Sequence, residues 1–466
     1  MDLFLVIVVV MVALAFTYTN GFHDTANAIA TVIGTKVLTP RQAIMLASVT
    51  NLIGAFFGLA VAKTISSGLV DARFITQGVL ICALLAAIFW NLLTWWFGMP
   101  SSSSHALVGS LVGAALAAAF VVGARHPKAA DHGKLVNAWT AAVKWVEVKD
   151  KTEKKLVPPT PEALAVLGDG IKTNGTHTLH IGTNKVQMVV FCGRVQQVQT
   201  FVKKAGDRAG LYYKVLIPMV SSPVMGFLVG LIFMTLIYVL LRSWRPVVVS
   251  RLFGKLQLCS SAYMGFSHGM NDATKCMGII TLALVAATTK NLFAELPDWA
   301  SWLVTRAGSD PYQLSLGDHV MSWLPTSLQF GYMPSPIDAS TQAIPNWVVV
   351  ICAMIMAAGT AAGGWRIIRT LGHRMVKLQP VHGFAAETTA ATVLAVTATL
   401  GMPVSTTHAI TTSIMGVGCA KRFSALKLNV IERILWAWIM TLPVTAGVSF
   451  TLVWLANCLG WIHFAL

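Results

Sequence analysis

Four charged side chains lie inside apolar stretches that are long enough to cross a membrane: Asp24, Asp272, Lys275 and Glu387. Each costs roughly 3 kcal/mol or more at the centre of a bilayer, so these side chains should face one another or a shared polar cavity. Asp24 and Asp272 also stand at matching places in two similar segments, GFHDTAN at 21–27 and GMNDATK at 269–275. This recurrence beside Asn and Thr favours a binding site for a cation or proton over a buried ion pair that only fixes helix packing.

Two hydroxyl-rich segments form a second constellation, GMPSSSSH at 98–105 and GMPVSTTH at 401–408. Gly and Pro interrupt a helix in each, and the hydroxyls follow where the next half-helix must begin. A helix start offers free backbone N–H groups and the positive end of the helix dipole, which together bind oxyanions. A proline kink whose freed carbonyls are satisfied by hydroxyls would explain one hydroxyl, not four in a row. The predicted oxyanion ligands are Ser101, Ser102, Ser103, Ser104, Ser405, Thr406 and Thr407.

An oxyanion beside two carboxylates is unfavourable unless a cation or proton lies between them. Binding both together is symport, and no cofactor is expected. His105 and His408 are expected to orient their neighbours by hydrogen bonding, because no second His or Cys lies at metal-ligand spacing. They have secondary roles, as does Glu387. The predicted residues for the coupling cation or proton are His23, Asp24, Asn27, Asn271, Asp272 and Lys275.

Composition indicates the elements that must position these groups. Of the 466 residues, 55% are hydrophobic and 11% charged, with a mean hydropathy of +0.68. A soluble domain has about 25% charged residues, so this class is excluded. The apolar runs are continuous rather than alternating, which predicts transmembrane helices and not a barrel. Many of the bases behind the net charge of +16 lie in short loops between spans, so nucleic-acid binding is set aside.

The two motif pairs occur in the same order along the chain, which indicates a duplication. If the helical pair broken at Gly-Met-Pro returns to its starting side, each half crosses the membrane an odd number of times and the halves are inverted. The predicted fold is an all-α polytopic membrane protein with two inverted-topology repeats, broken helices or helical hairpins, and about 10–12 transmembrane segments.

Loop charges predict the orientation. The loops near 242–255 and 366–377 each carry four bases and no acid, which places both in the cytoplasm by the positive-inside rule. Both termini and the segment at 125–214, a small folded insert with a few short strands, are then extracytoplasmic. The predicted organisation is the main part of a first repeat over 1–124, an insert over 125–214, a closing span over 215–241, the start of a second repeat over 242–289, an extracytoplasmic loop over 290–345, and the remainder of that repeat over 346–466.

The motifs resemble the duplicated signatures of the Pit inorganic phosphate transporter family, on its bacterial low-affinity branch. They are the segments at 21–39, 265–278, 98–105 and 401–408; the insert at 125–214 falls outside the resemblance and looks peculiar to this chain. The resemblance implies a multi-pass protein of the bacterial inner membrane that takes up phosphate with a coupling cation. It also implies that phosphate enters either as the bare anion or with Mg²⁺ or another divalent metal, which Asp24 and Asp272 would then hold.

This chain departs from the family pattern at two positions. Sodium-coupled members carry Asn-Asp-x-x-Asn in both halves, whereas here His23 precedes Asp24 and Lys275 ends the second motif. A lysine supplies the positive charge itself and would repel Na⁺, and histidine titrates near physiological pH. Proton coupling is therefore favoured over sodium. Lys275 that only pairs with Asp272, and His23 as a neutral donor, are the simpler alternatives.

Other functions are weighed against phosphate symport. A channel needs a continuous pore, which two broken repeats do not describe. A hydrolase is not expected, because Ser104 and His105 are adjacent on a helix and point in different directions. Sodium-coupled phosphate or sulfate symport and divalent-metal transport stay open, as do stoichiometry and the oligomeric state, a homodimer included.

Overall fold

The computed structural model describes residues 2–70, 75–125, 142–145, 147–157, 175–181, 184–191, 194–289, 292–293, 303, 344–374, 378–421 and 427–462. The loop predicted at 290–345 lies almost entirely outside these residues. In the described part the helices are α1 (Asp2–Gly34), α2 (Pro40–Ala55), α3 (Leu59–Gly68), α4 (Gln77–Trp96), α5 (Ser103–Arg125), α6 (Ile217–Leu240), α7 (Pro246–Thr289), α8 (Asn346–Ala362), α9 (Trp365–Arg369), α10 (Pro380–Thr399), α11 (Thr406–Lys421) and α12 (Leu428–Cys458).

The membrane part is entirely helical, as the continuous apolar runs predict. Six helices of the described chain are long and apolar enough to span a bilayer: α1, α4, α5, α7, α12, and α6 together with the π-helical turn Tyr212–Leu216 that precedes it. Two bent pairs, α2 with α3 and α8 with the segment that begins at Trp365, bend by 63° and 57° and raise the number to eight. The lower end of the predicted 10–12 spans is reached only when α10 and α11 are counted as well.

The two halves use the same helix order and exchange their packing partners. Helix α2 packs against α7 and α8 packs against α1, so the second element of each half lies on the first element of the other. The closing helices do likewise, because α12 packs on α5 and α6 packs on α11. The duplication therefore builds one interlocked body rather than two separate bundles.

The two helical breaks are the same in backbone detail. Gly98 has φ of 64° and Gly401 has φ of 66°, a left-handed conformation that favours glycine. Met99 N–H donates to the Thr94 carbonyl and Met402 N–H to the Thr397 carbonyl, each at 2.9 Å, which closes the preceding helix with a Schellman-type bond. The new half-helices α5 and α11 begin a few residues later, where the hydroxyl clusters predict them.

Two apolar clusters divide the core along α1 and α7. One contains Val6 to Phe16 of α1 and Ala273 to Ala287 of α7, and the other contains Ala26 to Val32 of α1. The intervening part of α1, which carries the first Asp motif, is rich in buried polar side chains. The polar centre thus lies between the two apolar layers, near the middle of both long helices.

The insert carries the short strands that its valine-rich stretches predict. Four strands form one antiparallel sheet in the order β1-β4-β3-β2: β1 (Glu147–Val157), β2 (Gly175–Ile181), β3 (Asn184–Phe191) and β4 (Arg194–Ala209). A register irregularity in β1 falls between Lys149 and Lys151.

Candidate functional site

Asp24 of α1 and Asp272 of α7 meet at the centre of the protein. Both residues are at most 1% exposed. With His268 they form a cluster in which one oxygen of each carboxylate and one ring nitrogen all lie within 4.8 Å of one another. At that separation two negative charges repel by about 3 kcal/mol even at an effective dielectric constant of about 20. The centre therefore needs positive charge, in the form of protons, cations or neighbouring bases.

Asp24 has a histidine and two hydroxyls around it. His23 Nδ1 lies 3.0 Å from its Oδ1, Ser103 Oγ donates to its Oδ2, and Thr407 Oγ1 donates to its Oδ1 at 3.3 Å. The other ring nitrogen, His23 Nε2, lies 3.1 Å from Thr94 Oγ1 and 3.5 Å from Ser101 Oγ. The basic group beside Asp24 is therefore an imidazole.

Asp272 has a lysine beside it. Lys275 Nζ donates to Asp272 Oδ1 and also to Ser104 Oγ. Thr406 Oγ1 donates to Oδ2 at 3.2 Å, and His268 Nε2 lies 3.2 Å from the same oxygen. The ion pair of Lys275 with Asp272, the simpler alternative in the sequence analysis, does form. The Lys275 ammonium also contacts Ser104 of the first hydroxyl cluster. Lys275 is thus part of the centre.

Hydroxyls from each half-helix start reach the motif of the other half. Thr406 and Thr407, at the start of α11, accept hydrogen bonds from Asn27 Nδ2 at 3.1 and 2.9 Å. Ser104, at the start of α5, donates to the Val404 carbonyl at 3.0 Å, and Asn271 Nδ2 donates to the same carbonyl at 3.2 Å. The two clusters therefore line one common site.

The remaining hydroxyls of the clusters have other partners. Ser102 Oγ accepts the His105 N–H and Ser405 Oγ accepts the His408 N–H, both at 3.1 Å, so these two serines are the N-caps of the half-helices. Ser101 Oγ donates to Thr94 Oγ1 at 2.7 Å. Ser102 and Ser405 therefore cap the helix starts that face the centre, while Ser101 lies beside His23.

His105 and His408 face each other one turn into the half-helices. Their ring centroids are 4.7 Å apart at 73°, and the His408 ring also lies 3.8 Å from that of Trp438. Within the described residues none of the four ring nitrogens has a hydrogen-bond partner. Ser104 contacts Lys275 and Val404 rather than His105, so the pairing that a serine hydrolase would use is not formed.

Glu387 lies outside the central site. It is buried on α10 among side chains of α1 and α7, with Thr31 Oγ1 and Ser260 Oγ each 2.5 Å from its carboxylate oxygens. The sequence gives it a secondary role, and the structure places it in a cluster of its own.

His268 and Asn51 belong to the site and are missed by the motif analysis. His268 stands one helical turn before Asp272, so both side chains lie on one face of α7. Its Nδ1 lies 3.0 Å from Asn51 Oδ1, and Asn51 Nδ2 in turn donates to Thr360 Oγ1 at 2.9 Å. The spacing to Asp272 could have identified His268, whereas Asn51 gives no local signal.

The fold and the site together define a duplicated membrane transport protein. Two related halves interlock, each contributes a broken helix, and the carboxylates and hydroxyls of both halves meet at mid-protein.

The chain belongs to the phosphate transporter family. The family's sequence profile matches residues 20–151 and 170–449, which confirms the resemblance carried by the four motifs. A "Probable low-affinity inorganic phosphate transporter" of Bacillus subtilis is 30% identical over 457 residues, covering 98% of both chains. A protein of the same name from Mycobacterium leprae is 32% identical over 459 residues, covering 98% of this chain and 80% of its own.

A solved structure entitled "The sodium-dependent phosphate transporter" has the same fold. Its TM-score is 0.60, and the match covers 97% of this chain and 99% of the other at 18% sequence identity. This likeness supports the helical repeat architecture.

The expectation that the insert at 125–214 is peculiar to this chain is wrong. The family profile covers most of it, leaving only 152–169 unmatched inside the chain, and the Bacillus subtilis relative aligns along almost its whole length. The motifs did not indicate that the family includes this insert, because the insert contains none of the short signature segments and its pattern of apolar and polar residues is weak.

Proposed function

We propose that this protein takes up inorganic phosphate by symport with protons. One observation carries the proposal: Ser103 and Thr407 donate to Asp24, and Thr406 donates to Asp272. These hydroxyls stand at the starts of half-helices, where free N–H groups and the helix dipole favour an anion. While the carboxylates are charged, these hydroxyls donate their hydrogen bonds to them.

Protonation of the carboxylates couples the two ligands. A neutral carboxyl group accepts hydrogen bonds more weakly, so Ser103, Thr406 and Thr407 become free to donate to phosphate oxygens. Proton binding also removes the repulsion between the carboxylates and the anion. Phosphate and protons therefore stabilise each other in the site, as symport requires.

His23 is suited to deliver the proton because its surroundings satisfy both of its charge states. With Nδ1–H on Asp24, a neutral ring accepts at Nε2 from the Thr94 hydroxyl, 3.1 Å away. A charged ring donates from Nε2 instead, and Thr94 then turns its hydrogen to the Trp90 carbonyl at 2.9 Å. Only the Thr94 hydroxyl has to rotate, so His23 can gain and lose a proton without a larger rearrangement.

Lys275 takes the place of a bound metal cation in the second half. Its ammonium group neutralises Asp272 and touches Ser104, so this half brings positive charge to the anion site without binding an ion. A cation approaching Asp272 would meet that ammonium. This charge favours protons over Na⁺ as the coupling ion.

The short basic loops give the orientation of the proposed uptake. The segment between α6 and α7 exposes Arg242 and Arg245, and the start of α7 exposes Arg251; the positive-inside rule assigns these bases to the cytoplasm. The start of α7 then lies at the cytoplasmic side, and the insert faces outward in a bacterial inner membrane. Cysteine accessibility at Arg245→Cys, measured from each side of the membrane, tests this orientation.

Co-transport of a divalent metal with phosphate is a second candidate, favoured by the cluster of Asp24, His268 and Asp272. Carboxylate oxygens and imidazole nitrogen together suit Mn²⁺ or Zn²⁺, while Mg²⁺ would use the carboxylates and water. Uptake of labelled phosphate with and without Mg²⁺ or Mn²⁺ tests it, and equimolar metal and phosphate entry is the expected result for a complex.

Proteoliposomes loaded with unlabelled phosphate test the main proposal. Counterflow of labelled phosphate should occur without Na⁺, and an inward proton gradient should drive accumulation that a protonophore abolishes. Accumulation that requires Na⁺ and ignores the proton gradient would overturn proton coupling. Absence of counterflow would overturn phosphate as the substrate.

A further inference from the structure

A buried polar cluster surrounds Glu387 at the junction of α1, α7 and α10. Thr31 Oγ1 and Gln257 Nε2 donate to one carboxylate oxygen at 2.5 and 3.3 Å, and Ser260 Oγ donates to the other at 2.5 Å. Gln257 is held in turn by Thr35, whose hydroxyl donates to its Oε1 at 2.9 Å. Glu387, Thr31 and Gln257 have no exposed surface.

The duplicated half has no counterpart of this cluster. Aligning Gly98 with Gly401 places Leu84 opposite Glu387, and aligning the Asp motifs places Val9 opposite Gln257 and Ile279 opposite Thr31. These three residues belong to one apolar cluster and are at most 1% exposed. Helix packing at this position therefore does not need polar groups, so a packing role does not account for the carboxyl group.

Glu387 has no positively charged partner within the described residues, where the ion pairs join His23 to Asp24 and Asp272 to His268 and Lys275. A fully buried charge without a counter-ion is costly, which favours a neutral carboxyl in part of the transport cycle. Besides His23, Asp24, His268, Asp272 and Lys275 of the central site, the titratable and charged groups on Glu387's own helix and on the elements packed against it include His382 on α10, Tyr238 on α6, Lys36 after α1, Lys63 on α3, Arg251 and Lys255 on α7, and His408 on α11.

Ser260 allows the cluster to accept both charge states. Its Oγ lies 2.5 Å from the Glu387 carboxylate and 3.1 Å from the Gln257 carbonyl. Next to a charged carboxylate it donates to Glu387. Next to a protonated carboxyl, the Ser260 hydroxyl accepts a hydrogen bond from Glu387 and donates its own hydrogen to the Gln257 carbonyl. All three hydrogen-bond donors point at the carboxylate, so a metal ion would have to displace them, whereas a proton requires only that the Ser260 hydroxyl turns.

The cluster lies along a polar face of α1 that leads from the central site. Asn27, Thr31 and Thr35 are spaced four residues apart, so they share one face of the helix. Thr31 lies seven residues beyond Asp24, which is about 10 Å along the axis. This direction leads to the end of α1 that lies near the start of α7, since Thr35 contacts Gln257.

We propose that Glu387 is a second proton-binding site, which receives the transported proton from the central site and releases it at the end of the protein where α7 begins. The proposal rests on the proton symport proposed above and adds a site that the duplicated motifs do not contain. The position equivalent to Glu387 in the first half is Leu84, which lies in an apolar cluster. In this scheme the other end of the protein therefore has no equivalent proton site.

Glu387→Gln in proteoliposomes tests the proposal, with Glu432→Gln as the control because Glu432 is an exposed carboxyl on α12. Glu387→Gln should keep phosphate counterflow within about twofold of the unaltered protein. It should lose the accumulation of about tenfold that one proton moving down one pH unit can sustain. Glu432→Gln should retain both. Proton-driven accumulation in Glu387→Gln equal to that of the unaltered protein would overturn the proposal, whereas failure of the unaltered protein to couple would overturn the symport instead.

Infrared spectroscopy of the purified protein tests the same site without transport. The difference between the spectra of the unaltered protein and Glu387→Gln should contain the carbonyl band of one protonated carboxyl at low pH, and this band should disappear as pH rises. Ser260→Ala removes one donor to the charged form, so the midpoint of this band should move to higher pH. A Glu387 band that is constant across the pH range, or absent throughout, would make the residue a purely structural hydrogen-bonding group.

Discussion

The two halves of the central site differ in the charge that accompanies the same carboxylate. Asp24 has an imidazole at 3.0 Å, whereas Asp272 has the ammonium of Lys275. Both carboxylates also accept a hydroxyl from the start of α11, through Thr407 and Thr406. Duplication thus reproduces the positions of the acids, and divergence at residues 23 and 275 gives Asp24 the ring of His23 and Asp272 the amino group of Lys275, in addition to the His268 ring at 3.2 Å from Asp272.

The proposed proton symport assigns different roles to the two halves. A permanent cation can attract an anion but cannot report a proton gradient, whereas a histidine can change charge between pH 5 and 8. The halves should therefore respond differently to equivalent substitutions.

The largest difference is expected between Asp272→Asn and Asp24→Asn. Both should abolish coupled uptake. Asp272→Asn also leaves the Lys275 ammonium buried without its carboxylate, which should destabilise the protein by about 3–5 kcal/mol. Asp24→Asn leaves a histidine that can stay neutral, so its thermal unfolding in detergent should change little.

The double change Asp272→Asn with Lys275→Met is the control for this pair, since it removes both charges together. It should recover most of the lost thermal stability and no uptake. Equal melting temperatures for the two single variants would show that the Lys275 pair does not differ energetically from the His23 pair.

The coupling ion should change when both halves are given neutral ligands. His23→Asn with Lys275→Asn removes the titratable ring and the fixed ammonium, so the carboxylates lack positive partners on their own motifs and should recruit Na⁺. Phosphate uptake by this variant should depend on Na⁺, while the unaltered protein shows little dependence. Uptake measured against choline at constant pH checks it, and Na⁺ independence in the double variant would remove these two residues from ion selection.

The hydroxyl clusters should contribute equally, in contrast to the charged neighbours. Ser103→Ala and Thr407→Val each remove one donor to the shared site, and each should weaken phosphate binding by about 1 kcal/mol or more, roughly fivefold. Ser110→Ala is a matched control, because Ser110 is buried on α5 and donates to its own helix at Leu107. Isothermal titration with phosphate would measure this, and an effect from one cluster alone would contradict a site shared by both halves.

The smallest effect is expected at Thr94. His23→Asn should make uptake independent of pH, whereas Thr94→Val keeps the ring and removes the nearer hydroxyl beside its Nε2, which is also the acceptor of the Ser101 hydroxyl. The charged His23 ring then lacks one hydrogen-bond acceptor, which costs it about 1 kcal/mol. The pH profile of uptake should therefore move to lower pH by less than about one unit. An unchanged profile in Thr94→Val would show that this hydroxyl does not accompany the proton.

The sequence predicts the features of the site that depend on local composition. Gly98 and Gly401 predict the helix breaks because glycine readily ends a helix and the proline two residues later cannot continue it, and the structure has both breaks. The recurrence of Asp24 and Asp272 predicts that the acids converge, because paired motifs in a duplicated fold come together at its axis. The assignment of individual serines to phosphate stays a prediction.

The bends within α2–α3 and α8–α9 and the place of the insert in the family could not be read from short motifs. The bend of 63° in the first pair follows from how α2 and α3 lie on α7, and no proline or repeated motif marks it.

By itself the sequence determined a helical membrane protein with two related halves, two broken helices and a pair of acids, because apolar length, helix-breaking residues and repetition act locally. Only the tertiary structure decided which partners these groups have. Thr407 reaches Asp24 and Thr360 reaches Asn51 across more than three hundred residues. Such contacts depend on how the two halves interlock, and that packing is set by the summed burial of many apolar side chains rather than by any one segment.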